Sequence, residues 1–105
     1  MDFKQIKPAV NQYLKKLKKE FPIEEVILFG SFAEGRAKKN SDVDLIILSK
    51  GFSKMKEDER LKFLYRRAVG FPYDLHAYGF TPKEFYSATP LTTVGQIKNT
   101  GVRIL

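Results

Sequence analysis

The chain contains no cysteine, which excludes a disulfide framework and a thiolate metal site. No stretch approaches the roughly 20 apolar residues needed to span a bilayer. The start, Met1-Asp2-Phe3-Lys4, has no signal-peptide pattern. These absences leave a cytoplasmic location as the expectation, with no membrane partner. Internal repeats, linkers and low-complexity segments are also missing. The 105 residues therefore read as one domain over 1–105, long enough to bury roughly two-thirds of the unfolded surface but too short for two cores. Acidic residues are in the minority, 12 against 19 basic ones, for a net charge of +7. That excess favours polyanionic partners: nucleotide, nucleic acid or an acidic protein. Many of the lysines, among them Lys15, Lys16, Lys18 and Lys19, sit on one helix, where a solvated polar face is the simpler explanation.

Hydrophobic spacing places the elements. Phe3, Ile6, Val10, Tyr13, Leu14 and Leu17 recur every three or four residues, which predicts an amphipathic helix over 2–20. Its regular part is expected to begin near Pro8, which has no N–H to donate, and Pro22 ends it. Glu24 to Phe29 is a first strand, Ser31 to about Ala37 a short helix, and Lys38 to Ser41 a polar connection. Asp42 to Leu48 is a second strand and Lys50 to Ser53 a loop. Glu57 to Val69 reads as a helix with Leu61, Leu64, Tyr65 and Ala68 facing inward. Tyr73 to Tyr78 is a third strand, with Asp74, His76 and Tyr78 on one face and Tyr73, Leu75 and Ala77 on the other. Thr81 is a helix cap with Pro82 at the first helical position. Leu91 to Asn99 is a further helix, closed by Gly101. Val102 to Leu105 is either a short edge strand or a terminal segment that docks a partner.

The stretch around which this is organised runs from residue 30 to 48. Gly30-Ser31 ends the apolar run Val26-Ile27-Leu28-Phe29, and Asp42 and Asp44 open the next one. Alternation along a strand sends both carboxylates to one face. Two like charges side by side repel, and an aspartate buried unpaired in an apolar strand is costly. A divalent cation between them is the simpler account, since hard metals such as Mg²⁺ take carboxylate oxygens and keep positions open for phosphate. A Gly-Ser turn leading into a helix offers N–H groups and a hydroxyl to that phosphate. Taken singly, Gly30-Ser31 reads as a capped turn and Asp42 and Asp44 as a turn cap and a lysine partner; it is their combination that describes a metal–nucleotide site.

Gly30-Ser31 followed at this spacing by Asp42-x-Asp44 resembles the signature of the minimal nucleotidyltransferases of the DNA polymerase β superfamily. The resemblance takes in the preceding helix and strand, the acidic third strand and the Ile97–Leu105 ending. It implies an α/β (α+β) fold of the polymerase β type, a small mixed sheet flanked by helices. It implies transfer of a nucleoside monophosphate, AMP from ATP, to an acceptor hydroxyl. Asp42, Asp44 and Asp74 would be the catalytic acids and would hold two Mg²⁺ ions, with Gly30, Ser31 and Arg36 toward the nucleotide. His76, the only histidine, reads as structural. One position departs from the family's habit: Glu34 stands where an arginine is frequent, so either it faces out or Arg36 supplies the cation.

Small members of this family commonly act beside a helical HEPN-type protein, as antitoxins that neutralise an RNase toxin, in some cases by placing AMP on one of its tyrosines. The resemblance implies such a partner and a homo- or hetero-oligomer. A non-catalytic antitoxin that works by contact is the alternative, although a binding surface alone has no need of three carboxylates. A small nucleic-acid-binding domain is disfavoured because the aromatics are expected mostly at core-facing positions. A nucleotidyltransferase acting on a small molecule such as an aminoglycoside would normally need more chain.

Overall fold

The computed structural model describes all 105 residues. Helix α1 (Phe3–Glu20) lays Ile6, Val10, Tyr13, Leu14 and Leu17 into the core. It starts at Phe3 rather than near Pro8, which is a correction to the sequence expectation. The Asp2 N–H donates to Gln5 Oε1 at 2.8 Å, which secures the first turn. Pro8 removes one hydrogen bond to the Lys4 carbonyl, but both residues lie on the exposed face, where water can meet that group.

Strand β1 (Glu25–Phe29) pairs antiparallel with β2 (Val43–Leu48), which runs parallel to β3 (Leu75–Phe80). Between β2 and β3 the chain passes through a 3₁₀ turn (Lys50–Lys54) and α2 (Glu57–Arg66). Helices α3 (Pro82–Tyr86) and α4 (Thr93–Thr100) follow, and β4 (Val102–Arg103) pairs antiparallel with β1. The sheet order is β3-β2-β1-β4, a mixed sheet as expected. Of the two readings for the last residues, the edge strand is the one observed. No helix is long and apolar enough to cross a membrane.

Alternation along the strands divides the interior in two. Val26, Leu28, Val43, Leu45, Ile47, Leu75 and Ala77 face α1, Phe52 and Leu64 and form the larger cluster. Ile27, Ile46 and Leu48 face the other way, against Phe85 of α3 and Ile97 of α4. Asp44 has the same parity as Ile46 and Leu48, so it belongs to the second face.

Several boundaries differ from those read in the sequence. β2 begins at Val43, one residue after Asp42, and the expected loop at Lys50–Ser53 is the 3₁₀ turn, opened by Ser49 Oγ accepting from the Gly51 N–H at 3.0 Å. α2 stops at Arg66, because an Ala68 N–H to Tyr65 carbonyl bond (3.1 Å) tightens the end and Gly70 turns the chain at φ +90°. β3 runs from Leu75 to Phe80 instead of 73–78, since Val43 pairs with Leu75. Gly79 would ordinarily weaken a strand, but the Phe52 ring closes over it, 2.7 Å from where a Cβ would stand. α4 starts at Thr93 because the Thr92 hydroxyl accepts from the Gly95 N–H at 3.0 Å. The cap read at Thr81 is present, with Thr81 Oγ1 accepting from the Glu84 N–H at 3.1 Å. The aromatics are less inward than expected. Tyr65, Tyr78 and Tyr86 are exposed by 43%, 40% and 49%.

Candidate active site

The strand register builds the site. Phe29, the last residue of β1, pairs with Asp44, which brings the following residue, Gly30, beside that carboxylate. Gly30 has φ +74°, a conformation that costs a side-chain-bearing residue free energy. A Cβ there would collide with Asp44 Oδ2 and stand 3.0 Å from its Cγ. Glycine is therefore required twice, by its backbone and by the acid fourteen residues along the chain.

The short helix expected over Ser31–Ala37 is not formed; residues 31–35 make hydrogen-bonded turns. The Glu34 N–H donates to the Gly30 carbonyl at 3.1 Å, but the next bond, Arg36 N–H to the Ser31 carbonyl at 3.1 Å, spans five residues and leaves the helical ladder. Gly35, at φ +73°, ends the turn, while buried Phe32 and Ala37 pin it to the core. The N–H groups of Ser31, Phe32 and Ala33 donate to no protein acceptor. Successive free N–H groups in a tight turn form an anion-binding concavity without a helix.

Asp42 sits just ahead of β2 with its side chain 44% exposed, and Asp44 lies within the strand at 17%. His76 is in register with Asp44 on β3. Its Nδ1 lies 3.3 Å from Asp44 Oδ1 and 3.9 Å from Asp42 Oδ2. Burial pushes the Asp44 carboxyl above its usual range; His76 opposes that shift and the Asp42 charge adds to it. The two carboxylates thus stand close to one imidazole nitrogen, with a glycine leaving room for one of them. Hard oxygen donors in this arrangement fit a divalent cation.

The other residues singled out in the sequence are placed differently. Asp74 is exposed, immediately before β3, and its carbonyl accepts from the Val43 N–H at 2.8 Å. It continues the register opposite Asp42 and lines a groove of about 400 Å³ with Lys39, Asn40 and Ser41. No three acidic or imidazole side chains are grouped so as to share one metal ion. Arg36 bonds Glu34 Oε2 at 2.9 Å, both side chains being half or more exposed. Glu34 is thus directed to solvent with its charge matched by Arg36.

Two features escaped the sequence reading. Tyr65 of α2 has its hydroxyl pKa raised, mainly by burial and also by the neighbouring Tyr78, Asp42 and Asp44; its approach to the acids depends on how α2 packs along β3, which helical periodicity does not specify. The second is an apolar hollow of about 300 Å³ on the same sheet face, lined by Phe29, Ile46, Tyr78, Phe80, Thr93, Val94 and Ile97. His76, in contrast, was visible on the face of Asp74; only its contact with the two acids was not.

Comparison with known proteins gives consistent results. The family described as "Nucleotidyltransferase domain" matches residues 10–102. A curated relative from Methanocaldococcus jannaschii, named "Putative protein adenylyltransferase", is 32% identical over 97 residues, covering 78% of this chain and 66% of the relative. The chain thus spans a little under two-thirds of that protein's length. Among solved structures, a toxin–antitoxin complex with AMP-PNP superposes with a TM-score of 0.65 at 22% identity, over 90% of this chain and 71% of that one. A toxin–antitoxin complex named MntA-HepT gives 0.61 at 19% identity, over 94% and 71%. At such identities these structures share the fold.

Proposed function

The chain belongs to the nucleotidyltransferase domain family, and on that premise we propose that it transfers AMP from ATP to a hydroxyl of a partner protein, releasing pyrophosphate. The observation that carries this reading is the meeting of Asp42 and Asp44 beside Gly30, with three free N–H groups next in the chain. One element binds cations and the other binds anions, at adjoining ends of β1 and β2. A metal–triphosphate needs both.

In this reading Gly30 and the N–H groups of Ser31, Phe32 and Ala33 hold the β- and γ-phosphates, and the Ser31 hydroxyl adds a donor. Asp42 and Asp44, with Asp74, would hold two Mg²⁺ ions, which would neutralise triphosphate charge and lower the pKa of the attacking hydroxyl. The acceptor oxygen forms a bond to the α-phosphorus as the bond to the β-phosphate bridging oxygen breaks. Asp74, exposed at the head of β3, serves as a further ligand or takes the hydroxyl proton. Arg36 is held by Glu34, so any role toward phosphate requires it to leave that partner. Positioning and charge neutralisation supply most of the catalysis in such a transfer.

The acceptor we favour is a tyrosine of a small helical HEPN-type partner, in an antitoxin role. What supports this is that two of the structural neighbours are toxin–antitoxin complexes, together with the relative named for protein adenylyl transfer. The test is calorimetric titration of ATP, with Mg²⁺ and with EDTA, into the wild type and Asp44→Asn. Binding that requires both the metal and Asp44 is expected. Equal binding in EDTA, or by the variant, would refute the site.

A further inference from the structure

The outer face of α1 takes no part in the proposed site, and its charge is more than the fold requires. Between residues 3 and 19 the chain has six lysines and no acid, against a net charge of +7 for all 105 residues. The rest of the molecule is therefore nearly neutral. All six lysines are exposed, and none forms an ion pair. Of the flanking acids, Asp2 stands ahead of the first turn and Glu20 is held by Arg67 at 2.7 Å.

A solvated face explains only part of this pattern. Lys18 and Lys19 lie in the last turn, where a cation suits the helix dipole. Lys4 and Lys7 lie at the opposite end, which has no acid in its first turn and where the dipole disfavours a cation. Lys4 and Lys7, Lys15 and Lys18, and Lys16 and Lys19 are three residues apart, and Lys15 and Lys19 four. Like charges that are neighbours on a helix surface destabilise it. At about 100° per residue, Lys4, Lys7, Lys15 and Lys18 share an arc of roughly 80° over a length of roughly 21 Å. Exposed Asn11 fills the gap between them. The Met1 ammonium donates to the Ala37 carbonyl at 3.2 Å, which brings exposed Lys38 and Lys39 to the same end of the helix. Cations concentrated in this way, partly against the helix dipole, suit an anion that follows the helix axis.

The kind of anion follows from what the face lacks. Protein interfaces are built on apolar and aromatic anchors and are depleted in lysine. None of the large apolar side chains left exposed belongs to α1. Single-stranded nucleic acid is held by bases stacked on aromatic rings, but the aromatics of α1, Phe3 and Tyr13, pack inward. A row of lysines on a convex helix matches instead the regular phosphates of a duplex, which are met by charge without regard to sequence.

We propose that the face of α1 bearing Lys4, Lys7, Lys15 and Lys18 docks the phosphate backbone of duplex nucleic acid without reading its sequence. This is a second binding surface, and it stands independently of the nucleotidyltransferase reading and of the acids at Asp42 and Asp44.

The experiment is fluorescence anisotropy with a labelled DNA duplex of about 20 bp, a single strand of the same length and poly-L-glutamate, over about 50 to 200 mM salt. EDTA is present and nucleotide absent, so that no metal–nucleotide complex occupies the acids. Wild type is compared with Lys4→Gln/Lys7→Gln/Lys15→Gln/Lys18→Gln and with Lys50→Gln/Lys54→Gln/Lys56→Gln/Lys83→Gln, which removes the same charge elsewhere. All eight side chains are exposed and glutamine forms helix about as well as lysine; circular dichroism checks that both variants fold. For the wild type, log Kd should rise with log salt with a slope of about 3–4, the value for four phosphate contacts. The α1 variant should bind the duplex about tenfold or more weakly at the lowest salt and lose most of that slope, while the control stays within about threefold. Lys4→Gln/Lys7→Gln alone should lower the slope by about 2, and an unchanged slope there would overturn the assignment of this face. Equal loss in the α1 and control variants would show that net charge alone is responsible and overturn the proposal. So would absence of duplex binding by the wild type at the lowest salt. Tighter binding of the single strand or of poly-L-glutamate than of the duplex would assign the face to another polyanion and overturn the duplex reading.

Discussion

Asp44 is the position at which function and stability should pull in opposite directions. Its side chain is 17% exposed, within a strand whose next four residues are buried hydrocarbon, and its carboxyl pKa is raised by burial, with His76 opposing and Asp42 adding. A carboxylate with a raised pKa holds its proton longer in the folded state than in the unfolded one. Its ionisation therefore subtracts from stability as pH rises from the ordinary value of 3.8 through the folded value, and the whole penalty is present at neutral pH. Asp44→Asn removes the charge and keeps the shape. Single stabilising substitutions are commonly worth about 0.5–2 kcal/mol; taking about 1 kcal/mol, a domain of this size should melt roughly 4 °C or more higher. With Mg²⁺-ATP at a hundred times its dissociation constant the wild type should gain about 2.7 kcal/mol and the variant nothing, so the order of the two inverts. Thermal unfolding at pH 7.5, with and without Mg²⁺-ATP, reads both effects, and the variant's advantage should shrink as pH falls below the carboxylate range. A variant that melts lower than wild type without ligand would show that the His76 contact makes the acid a net structural asset. Equal stabilisation of both proteins by Mg²⁺-ATP would show that Asp44 does not take part in binding.

Three further outcomes follow from the contacts. Gly30→Ala places a Cβ against the Asp44 carboxylate at φ +74°; backbone strain of about 1–3 kcal/mol plus the clash should lower the denaturant midpoint and weaken Mg²⁺-ATP binding together, whereas a normal midpoint would mean the turn is free to move. Glu84 accepts from Arg60 at 2.7 Å, and that contact leads in lowering its pKa from 4.5. Its contribution is therefore complete above that value and lost as pH falls through the folded one; with the Glu84 side chain 45% exposed, Glu84→Gln should cost roughly 0.5 kcal/mol at pH 7, a difference that closes in acid and can be read from melting temperature against pH. Arg60 itself, 11% exposed, donates to the carbonyls of Phe52, Met55 and Gly79, so Arg60→Ala should cost about 2–4 kcal/mol in urea unfolding; a loss below 1 kcal/mol would mean water replaces those bonds.

What could be read in the sequence was what period and local chemistry control. Alternation put Asp42 and Asp44 on one face, and β2 shows Val43, Leu45 and Ile47 in one cluster with Ile46 and Leu48 in the other. The Thr81-Pro82 start of α3 is a local cap and was legible for that reason. The failures have non-local causes. Gly79 remains in β3 because Phe52, 27 residues earlier, covers it, and no window around residue 79 contains that fact. Pro8 does not delay α1, because the helix docks its apolar stripe on both sides of it. The segment after Gly30 looked helical, but Phe32 and Ala37 are both buried, and the wider turn at Gly30–Arg36 accommodates both.

The same logic explains why the site is placed by the core and not by its own residues. Shifting a strand by one residue exchanges its two faces. On β2 such a slip would send Asp44 into the larger cluster, among Leu17, Val26 and Leu64, and bring Val43 or Leu45 beside Gly30. Burying an unpaired charge and exposing leucine together make that arrangement far costlier than the observed one. Two apolar clusters, one on each side of the sheet, therefore hold the register that sets Asp44 against Gly30 and opposite His76. The carboxylates themselves repel and offer no such restraint. The fold keeps these two acids together against their mutual repulsion, which is why the perturbation at Asp44 is the most direct test of the role proposed for them.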